Sequence, residues 1–316
     1  MNYQSFADQP GGSASEKKLL NLKLPNMRGL RFLDLGCNEG FFCLHAKQNG
    51  AARVIGIDAN ERILSLARER AKAMGQDIDY FKSDFLSAPE GPHDVILLSS
   101  ALHYAANPIA VLDRISELLS PNGTFVLECG VVFAPGATVT RALRGPDERF
   151  FPTYDLLTKT WLRRFSFRYI GRSVDQPGDP IQRHVFHCKA LKPTVILITG
   201  ESGRGKSSLA RGISDGAVVI STDKVFAPAR VNTHKTSPYQ KLYDDAVAAT
   251  GGIGQGWLQV RENAELIKFF VETLSQAIML NKDAGTIVVE GFILSDLIEP
   301  LKKRLGNGYY YWTASP

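Results

Sequence analysis

The chain has 316 residues, of which 44% are hydrophobic and 22% are charged, and its net charge is +5. This length suits two domains of about 100–200 residues each, and the apolar content excludes a chain that is disordered throughout. The mild charge permits an anionic substrate without requiring nucleic acid, and no apolar run reaches the ~18–20 residues that a membrane span needs. Residues 1–18 are polar and lack the apolar core of a secretory signal, so we expect a loose arm on a cytoplasmic protein.

Short apolar runs then alternate with helical patterns up to residue 128. Asn60 and Asn107 precede two of the helical patterns, where they suit the N-cap position. Such alternation favours right-handed crossovers and a doubly wound α/β sheet. Strands are predicted at residues 31–35, 53–57, 78–81, 94–99 and 123–128.

The pattern changes after the fifth strand. Residues 131–155 are rich in Arg, Gly and Pro and are predicted to be irregular, and a helix is predicted near residues 154–163. Two strand-like runs at residues 165–171 and 183–188 have no helix between them. They predict an antiparallel hairpin at the edge of the sheet.

A second alternating pattern starts near residue 191. We therefore predict a Rossmann-like first domain, residues 1–191, and a smaller doubly wound second domain, residues 192–316. Its strands are predicted at residues 194–199, 217–221, 286–290 and 309–313, and its helices at 208–213, 262–280 and 295–305.

The four cysteines all lie in the predicted first domain, and none forms a C-x-x-C pair. This spacing indicates neither a zinc site nor a redox dithiol. We expect reduced, buried thiols at Cys37, Cys43, Cys129 and Cys188.

Acidic residues and glycines follow the first two strands. Asp34, Gly36 and Gly40 form a D-x-G-x-x-x-G turn, which lets a ligand approach the backbone closely. Asp58 ends the next strand, where a carboxylate can accept both ribose hydroxyls. The carboxyl ends of these strands share the edge at which open α/β sheets bind ligands.

The third strand is followed by Asp84 and Phe85, a carboxylate that can take an adenine amino group and a ring that can stack. With these residues the stretch from about residue 32 to 191 resembles a class I S-adenosylmethionine-dependent methyltransferase, including its antiparallel final strands. The resemblance implies that the cofactor's amino-acid part lies at Asp34, Gly36 and Gly40, its ribose at Asp58, and its adenine at Asp84 and Phe85.

The acceptor side is predicted from the later strand ends and loops. His103 follows the fourth strand and is the best-placed base for a hydroxyl acceptor, and Glu128 ends the fifth strand at the same edge. Loops carry specificity on such a scaffold, and guanidinium groups suit phosphate or carboxylate. The arginines in these loops are Arg141, Arg144, Arg149 and Arg183.

The second domain opens with a strand followed by G-x-x-x-x-G-K-S and a helix, the context of a phosphate-binding Walker A loop. Its backbone N–H groups would cradle phosphates, Lys206 would reach the β- and γ-phosphates, and Ser207 would bind Mg²⁺. The loop therefore predicts ATP and Mg²⁺ as ligands. Its glycines are Gly200, Gly203 and Gly205.

Two further strand ends carry acids, and the domain resembles small P-loop kinases of the zeta-toxin and metabolite-kinase type. The resemblance implies that Asp223 acts on the acceptor hydroxyl and that Glu290 holds the water shell of Mg²⁺. Residues 226–256 are expected to form an acceptor lid with residues 251–256 as a hinge or flexible loop. Its polar candidates are Arg230, His234, Lys235 and Tyr239.

Kinases of this type continue with an arginine-bearing lid and a fifth strand, whereas this sequence stops at Pro316. Either the chain is truncated or the arginines come from elsewhere, Arg204 being one substitute. Since phosphoryl transfer without a charge clamp is slow, we expect weak kinase activity.

Together these features predict a bifunctional enzyme that methylates and phosphorylates one small-molecule or glycan acceptor. One alternative is a methyltransferase with a nucleotide-sensing P-loop domain. Another is an RNA-end-modifying enzyme, which the absence of an RNA-binding module and of a large basic tract disfavours. The identity of either acceptor and the oligomeric state stay open.

Overall fold

The computed structural model describes residues 4–6, 11–144, 147–174, 179–213, 216–226 and 237–316. The chain divides into two compact units, Met1–Leu191 and Lys192–Pro316, and each is described by itself. No described helix is both long and apolar enough to cross a membrane.

The first unit is built on one seven-stranded sheet. Its strands are β1 (Arg31–Leu35), β2 (Arg53–Asp58), β3 (Asp79–Lys82), β4 (His93–Ser99), β5 (Leu119–Gly130), β8 (Phe165–Arg172) and β9 (Arg183–Ala190). The strand order is β3-β2-β1-β4-β5-β9-β8. Pairs from β3 to β5 are parallel, whereas β9 is antiparallel to both β5 and β8. The predicted doubly wound sheet and its antiparallel edge are thus confirmed.

Helices cover both faces of this sheet, which explains the continuous apolar strands. In β1, Leu33 and Leu35 belong to one buried cluster, while Phe32 belongs to the cluster on the other face. As predicted, Asn60 and Asn107 cap helices by accepting from the amides of Arg62 and Ala110, each at 3.1 Å. The helices are α1 (Ser15–Leu22), α2 (Phe41–Gln48), α3 (Glu61–Ala73), α4 (Pro108–Leu118) and α5 (Tyr154–Leu156).

Two sequence-based predictions about the first unit are wrong. The arm predicted to be loose, residues 1–18, ends within α1, whose buried side chains are Ser15, Lys18 and Leu22. The stretch predicted to be irregular forms an antiparallel ribbon of β6 (Val139–Arg144) and β7 (Asp147–Pro152). In the first case polar residues occupy the buried face, and in the second backbone pairing forms strands without an apolar pattern.

The second unit contains a four-stranded parallel sheet of order β11-β12-β10-β13. These strands are β10 (Thr194–Ile198), β11 (Val218–Ser221), β12 (Thr286–Glu290) and β13 (Tyr310–Ala314). Its helices are α6 (Lys206–Ile213), α7 (Thr222–Val225), α8 (Pro238–Thr250), α9 (Ile253–Val260), α10 (Ala264–Leu280) and α11 (Leu294–Leu305).

The glycine-rich run at residues 251–256, predicted as a hinge or flexible loop, ends α8 and begins α9. Gly251 has a φ of 73° and caps α8 in the left-handed conformation. A Cβ on Gly256 would lie 2.6 Å from the backbone N and Cα of Val247, so this glycine allows α8 and α9 to touch. Tight packing, and not a hinge, explains Gly256.

Candidate functional site

The carboxyl ends of β1 to β4 surround a cavity of about 830 Å³ in the first unit. Five residues predicted from the sequence line it: Asp34, Gly36, Asp58, Asp84 and Phe85. The sheet brings them together because parallel strands present their carboxyl ends at one edge, and the order reverses between β1 and β4.

The glycine-containing turn after β1 is held against β2. The amides of Gly36 and Cys37 both donate to the carbonyl oxygen of Ile57, each at 2.8 Å. Gly36 and Gly40 have φ values of 78° and 81°, which favour glycine. Gly40 does not line the cavity; a Cβ there would collide with the hydroxyl group of Tyr80. Gly40 therefore shapes the turn from behind.

Asp34 places a carboxyl group at the base of the cavity. It is 1% exposed, and this burial raises its pKa to about 7, above the ordinary value of 3.8. The Sγ atom of Cys43 lies 3.6 Å from its Oδ2 oxygen as a weak donor. A cationic group bound here would shift Asp34 to its charged form.

Backbone amides hold both oxygens of the Asp58 carboxylate. Its Oδ2 oxygen accepts from the amide of Asn38 at 3.0 Å, and its Oδ1 oxygen accepts from the amide of Asn60 at 2.9 Å. Asn38 and Asn60 also line the cavity. Each carboxylate oxygen has a second lone pair for a ligand hydroxyl.

Asp84 and Phe85 form the wall after β3. Asp84 is exposed, and the Ser87 amide that donates to its Oδ1 oxygen at 2.8 Å lowers the pKa of this carboxyl. Phe85 is half-buried and lies beside Gly36, where a Cβ would be 3.7 Å from its ring. An acid and an aromatic face thus stand at one end of the cavity.

The two predicted acceptor-side residues do not line this cavity. His103 lies at a small adjacent cavity with Arg149, Phe151 and other residues, while its neighbour Tyr104 lines the large one. Glu128 is 0% exposed and lies behind Ser100, whose Oγ donates to its Oε2 oxygen at 2.6 Å. Burial opposes ionisation of Glu128, but the charges of nearby cations lower its pKa.

A buried charged cluster joins the cavity wall to the edge strands. Lys18 donates to Ser100 Oγ at 2.7 Å, and Arg183 also donates to this oxygen. Arg183 in turn pairs with Asp179 at 2.9 Å. Sequence reasoning missed Lys18 and Ser100, since a lysine in a polar arm and a serine after a strand carry no distinctive spacing.

The predicted acceptor-binding arginines have different surroundings. Arg141 is exposed and pairs with Glu148. The guanidinium carbon of Arg149 lies 4.9 Å from the ring centre of Tyr104, at the cavity. The side chain of Arg144 lies outside the described structure. Arg149 and Arg183 are therefore the arginines that the fold brings towards the candidate site.

In the second unit the G-x-x-x-x-G-K-S segment connects β10 to α6. Gly203 and Gly205 have φ values of 78° and 89°, and that of Gly200 is 141°, so glycine is required by the backbone. Lys206 is 8% exposed, and its Nζ donates to the carbonyl oxygens of Gly200 and Glu201 at 2.9 and 2.6 Å. The helix begins at Lys206, two residues before the predicted start.

Acidic residues follow the strands beside this loop. Ser207 Oγ donates to Glu290 Oε2 at 3.2 Å. Asp223 follows β11 and its side chain is exposed; partial desolvation first, and then the charge of Glu290, raise the pKa of its carboxyl. No group of three or more His, Cys, Asp or Glu that could hold a metal ion occurs among the described residues.

The predicted lid is only partly covered by the structure. Arg230, His234 and Lys235 lie outside the described residues. Tyr239 lies in α8, with its ring centre 6.2 Å from that of Phe269. Arg204 is 71% exposed and pairs with Glu201 at 3.3 Å.

This chain is similar to known proteins over part of its length. Residues 26–140 match the family model of a methyltransferase domain. An uncharacterized protein of Haemophilus influenzae is 37% identical over 117 residues, which cover 35% of this chain and 46% of that protein. The ubiquinone biosynthesis O-methyltransferase of Roseobacter denitrificans is 37% identical over 164 residues, or 50% of this chain and 64% of the relative. The chain thus spans less than two thirds of the length of either relative.

A crystal structure of an S-adenosylmethionine dependent methyltransferase from Mesorhizobium loti aligns with 56% of this chain and 99% of that chain. The TM-score is 0.44 and the sequence identity 24%. The family match supports the predicted methyltransferase domain at residues 26–140, within the first unit.

Proposed function

We propose that the first unit transfers a methyl group from S-adenosylmethionine to a small-molecule or glycan acceptor. The observation that carries this proposal is one cavity that joins Asp34, Asp58 and the Asp84–Phe85 wall. In that order they suit an ammonium group, a ribose diol and an adenine. The family match at residues 26–140 supports the same reaction.

The residues present fit this cofactor. The buried carboxyl of Asp34 is completed by an ammonium group, and the free lone pairs of Asp58 are completed by hydroxyl donors. Because Gly36 has no Cβ, its backbone is open to close approach by the cofactor. A Cβ there would lie 3.2 Å from that of Ala101, a tight contact. When bound, the cofactor supplies a methyl group that its sulfonium has already activated.

The chain's own contribution is then alignment, exclusion of water and proton removal. Tyr104 and Ser100 line the cavity where an acceptor would meet the methyl group. A hydroxyl acceptor needs a base, and His103 is proposed for that role through a shift towards the large cavity or through Tyr104, which it contacts at a ring-centre distance of 4.2 Å. The O-methyltransferase relative favours a hydroxyl acceptor.

Calorimetry with S-adenosylmethionine tests the cofactor assignment. Asp58→Ala should weaken binding by about ten- to a hundredfold, the effect of losing a charged hydrogen-bonding group. Asp79→Ala is the matched control, because Asp79 lies in β3 and pairs with Arg53 away from the cavity. A wild-type protein that does not bind the cofactor would refute the proposal.

For the second unit we propose binding of ATP with Mg²⁺ and phosphoryl transfer. The supporting observation is the contact between Ser207 and Glu290 beside a glycine loop that ends in Lys206. Lys206 would exchange its two carbonyl partners for phosphate oxygens, and Ser207 and Glu290 would hold Mg²⁺ directly and through water. Asp223 would act on the acceptor hydroxyl.

Two variants test the roles of Lys206 and Asp223, and a panel of acceptors separates a kinase from a nucleotide sensor. Lys206→Ala should abolish turnover, because Lys206 meets the charge that develops on the transferred group. If Asp223 acts on the acceptor, Asp223→Asn keeps ATP affinity and loses transfer. ATP binding without transfer to any of a panel of sugars and nucleosides would favour the sensor. A steep fall of acceptor affinity with salt would instead favour RNA.

A further inference from the structure

Lys18 is a buried cation with hydrogen-bonding capacity to spare. It is 3% exposed and lines the large cavity. Its Nζ donates to Ser100 Oγ at 2.7 Å, whereas Glu128 Oε1 lies 3.9 Å away, beyond hydrogen-bonding distance. An ammonium group has three donors, so two N–H groups of Lys18 lack an acceptor within the described part of the chain.

The surroundings of Lys18 do not offer a better partner. Ser100 already donates to Glu128 and accepts from Arg183, so its hydroxyl is fully engaged. Glu128 balances the charge of Lys18 from behind the wall, with no exposure to the cavity. Leaving buried charged donors unmet is costly, so an acceptor from a ligand would be stabilising here.

The charge distribution selects the kind of ligand group. Lys18 and Asp34 line the same cavity and interact electrostatically. A ligand that brings an ammonium group to Asp34 and an anion to Lys18 adds no net charge to the buried cluster. The two side chains therefore suit the two ends of an α-amino acid.

We infer that Lys18 binds a ligand carboxylate in the large cavity of the first unit. This inference rests on the proposed methyltransferase function. The carboxylate has two sources, the α-carboxylate of the methyl donor or a carboxylate on the acceptor. The pairing with Asp34 favours the donor.

The donor is tested by calorimetry with S-adenosylmethionine and its decarboxylated analogue, which lacks only the α-carboxylate. Lys18→Met should weaken binding of S-adenosylmethionine by about ten- to a hundredfold and leave that of the analogue unchanged. Lys17→Met, an exposed neighbour on α1, should change neither affinity. Because Lys18→Met removes one of the two cations beside the buried Glu128, the double variant Lys18→Met/Glu128→Gln repeats the test with the charge balanced.

The acceptor is tested with benzoate and benzamide on protein saturated with S-adenosylhomocysteine. If the acceptor supplies the carboxylate, Lys18→Met weakens benzoate binding alone and leaves both donor affinities unchanged. Folded Lys18 variants that alter neither the donor pair nor the benzoate pair would overturn the inference. Wild-type protein that binds no S-adenosylmethionine would instead refute the methyltransferase proposal itself.

Discussion

We predict that Asp34 stabilises the proposed cofactor complex and destabilises the cofactor-free protein. Burial raises its pKa from 3.8 to about 7, so the folded chain holds its proton more tightly than the unfolded chain. For an acid with a raised pKa, the free energy of unfolding falls as pH rises from about 4 to about 7 and is level above that range. An ammonium group bound beside Asp34 reverses this penalty because it favours the carboxylate.

This linkage gives a pH prediction for binding. Affinity for S-adenosylhomocysteine should rise by up to about tenfold per pH unit below pH 7 and level off above it, as Asp34 releases its proton before binding. Asp34→Asn should bind more weakly and lose this pH dependence. Calorimetry from pH 5.5 to 8.5 measures both, and an unchanged pH profile in the variant would assign the titration to another group.

The same substitution should act in the opposite direction on stability. Asparagine does not ionise, so Asp34→Asn removes the cost of a buried carboxylate at pH 8 and not at pH 4. Thermal melts of the cofactor-free protein should therefore place the variant above wild type at pH 8 and close to it at pH 4. Equal differences at the two pH values would show that Asp34 is not a buried titrating group.

At the scale of elements, the sequence predicts a strand or helix where apolar periodicity and burial coincide. The residues of β1, β2 and β4 are almost continuously buried and were readily predicted, and Asn60 and Asn107 marked two helix starts. The helix α1 was missed because its buried residues at helical spacing, Ser15, Lys18 and Leu22, include only one apolar side chain. The candidate site followed the same rule: strand-end acids were found, and Lys18 was not.

The α8–α9 pair gives a prediction about glycine. Gly256→Ala should lower the free energy of unfolding by about 1–3 kcal/mol, because the new Cβ would lie 2.6 Å from the Val247 backbone. Gly254→Ala, in the same helix, is the matched control. Its Cβ would lie 3.6 Å from the Phe292 ring, an ordinary contact, so stability should stay equal or rise slightly.

Denaturant unfolding of both variants measures this difference. A hinge at residues 251–256 would make both substitutions similar and would change the rate of a lid motion more than stability. A Gly256→Ala variant as stable as Gly254→Ala would therefore restore the hinge interpretation. The packing interpretation requires the two variants to separate.

At the scale of the whole molecule, the two units have separate interiors. Two of the buried apolar clusters draw only on residues before Leu191, and two draw only on residues from Val195 onwards. Each sheet is likewise formed within one unit. Because neither set of strands needs the other to complete its core, each unit has what an independent folding unit requires.

We therefore predict that a fragment of residues 1–191 folds and binds S-adenosylmethionine with the affinity of the full chain. A fragment of residues 1–182 is the matched control: it lacks β9, which lies between β5 and β8, so it should aggregate. Circular dichroism, melting curves and calorimetry compare the two fragments with the full chain. In the full chain, ATP with Mg²⁺ should raise the melting transition of the second unit only, and Lys206→Ala should remove that shift while leaving cofactor binding intact. If the fragment of residues 1–191 aggregates while the full chain stays soluble, the two units depend on each other for folding.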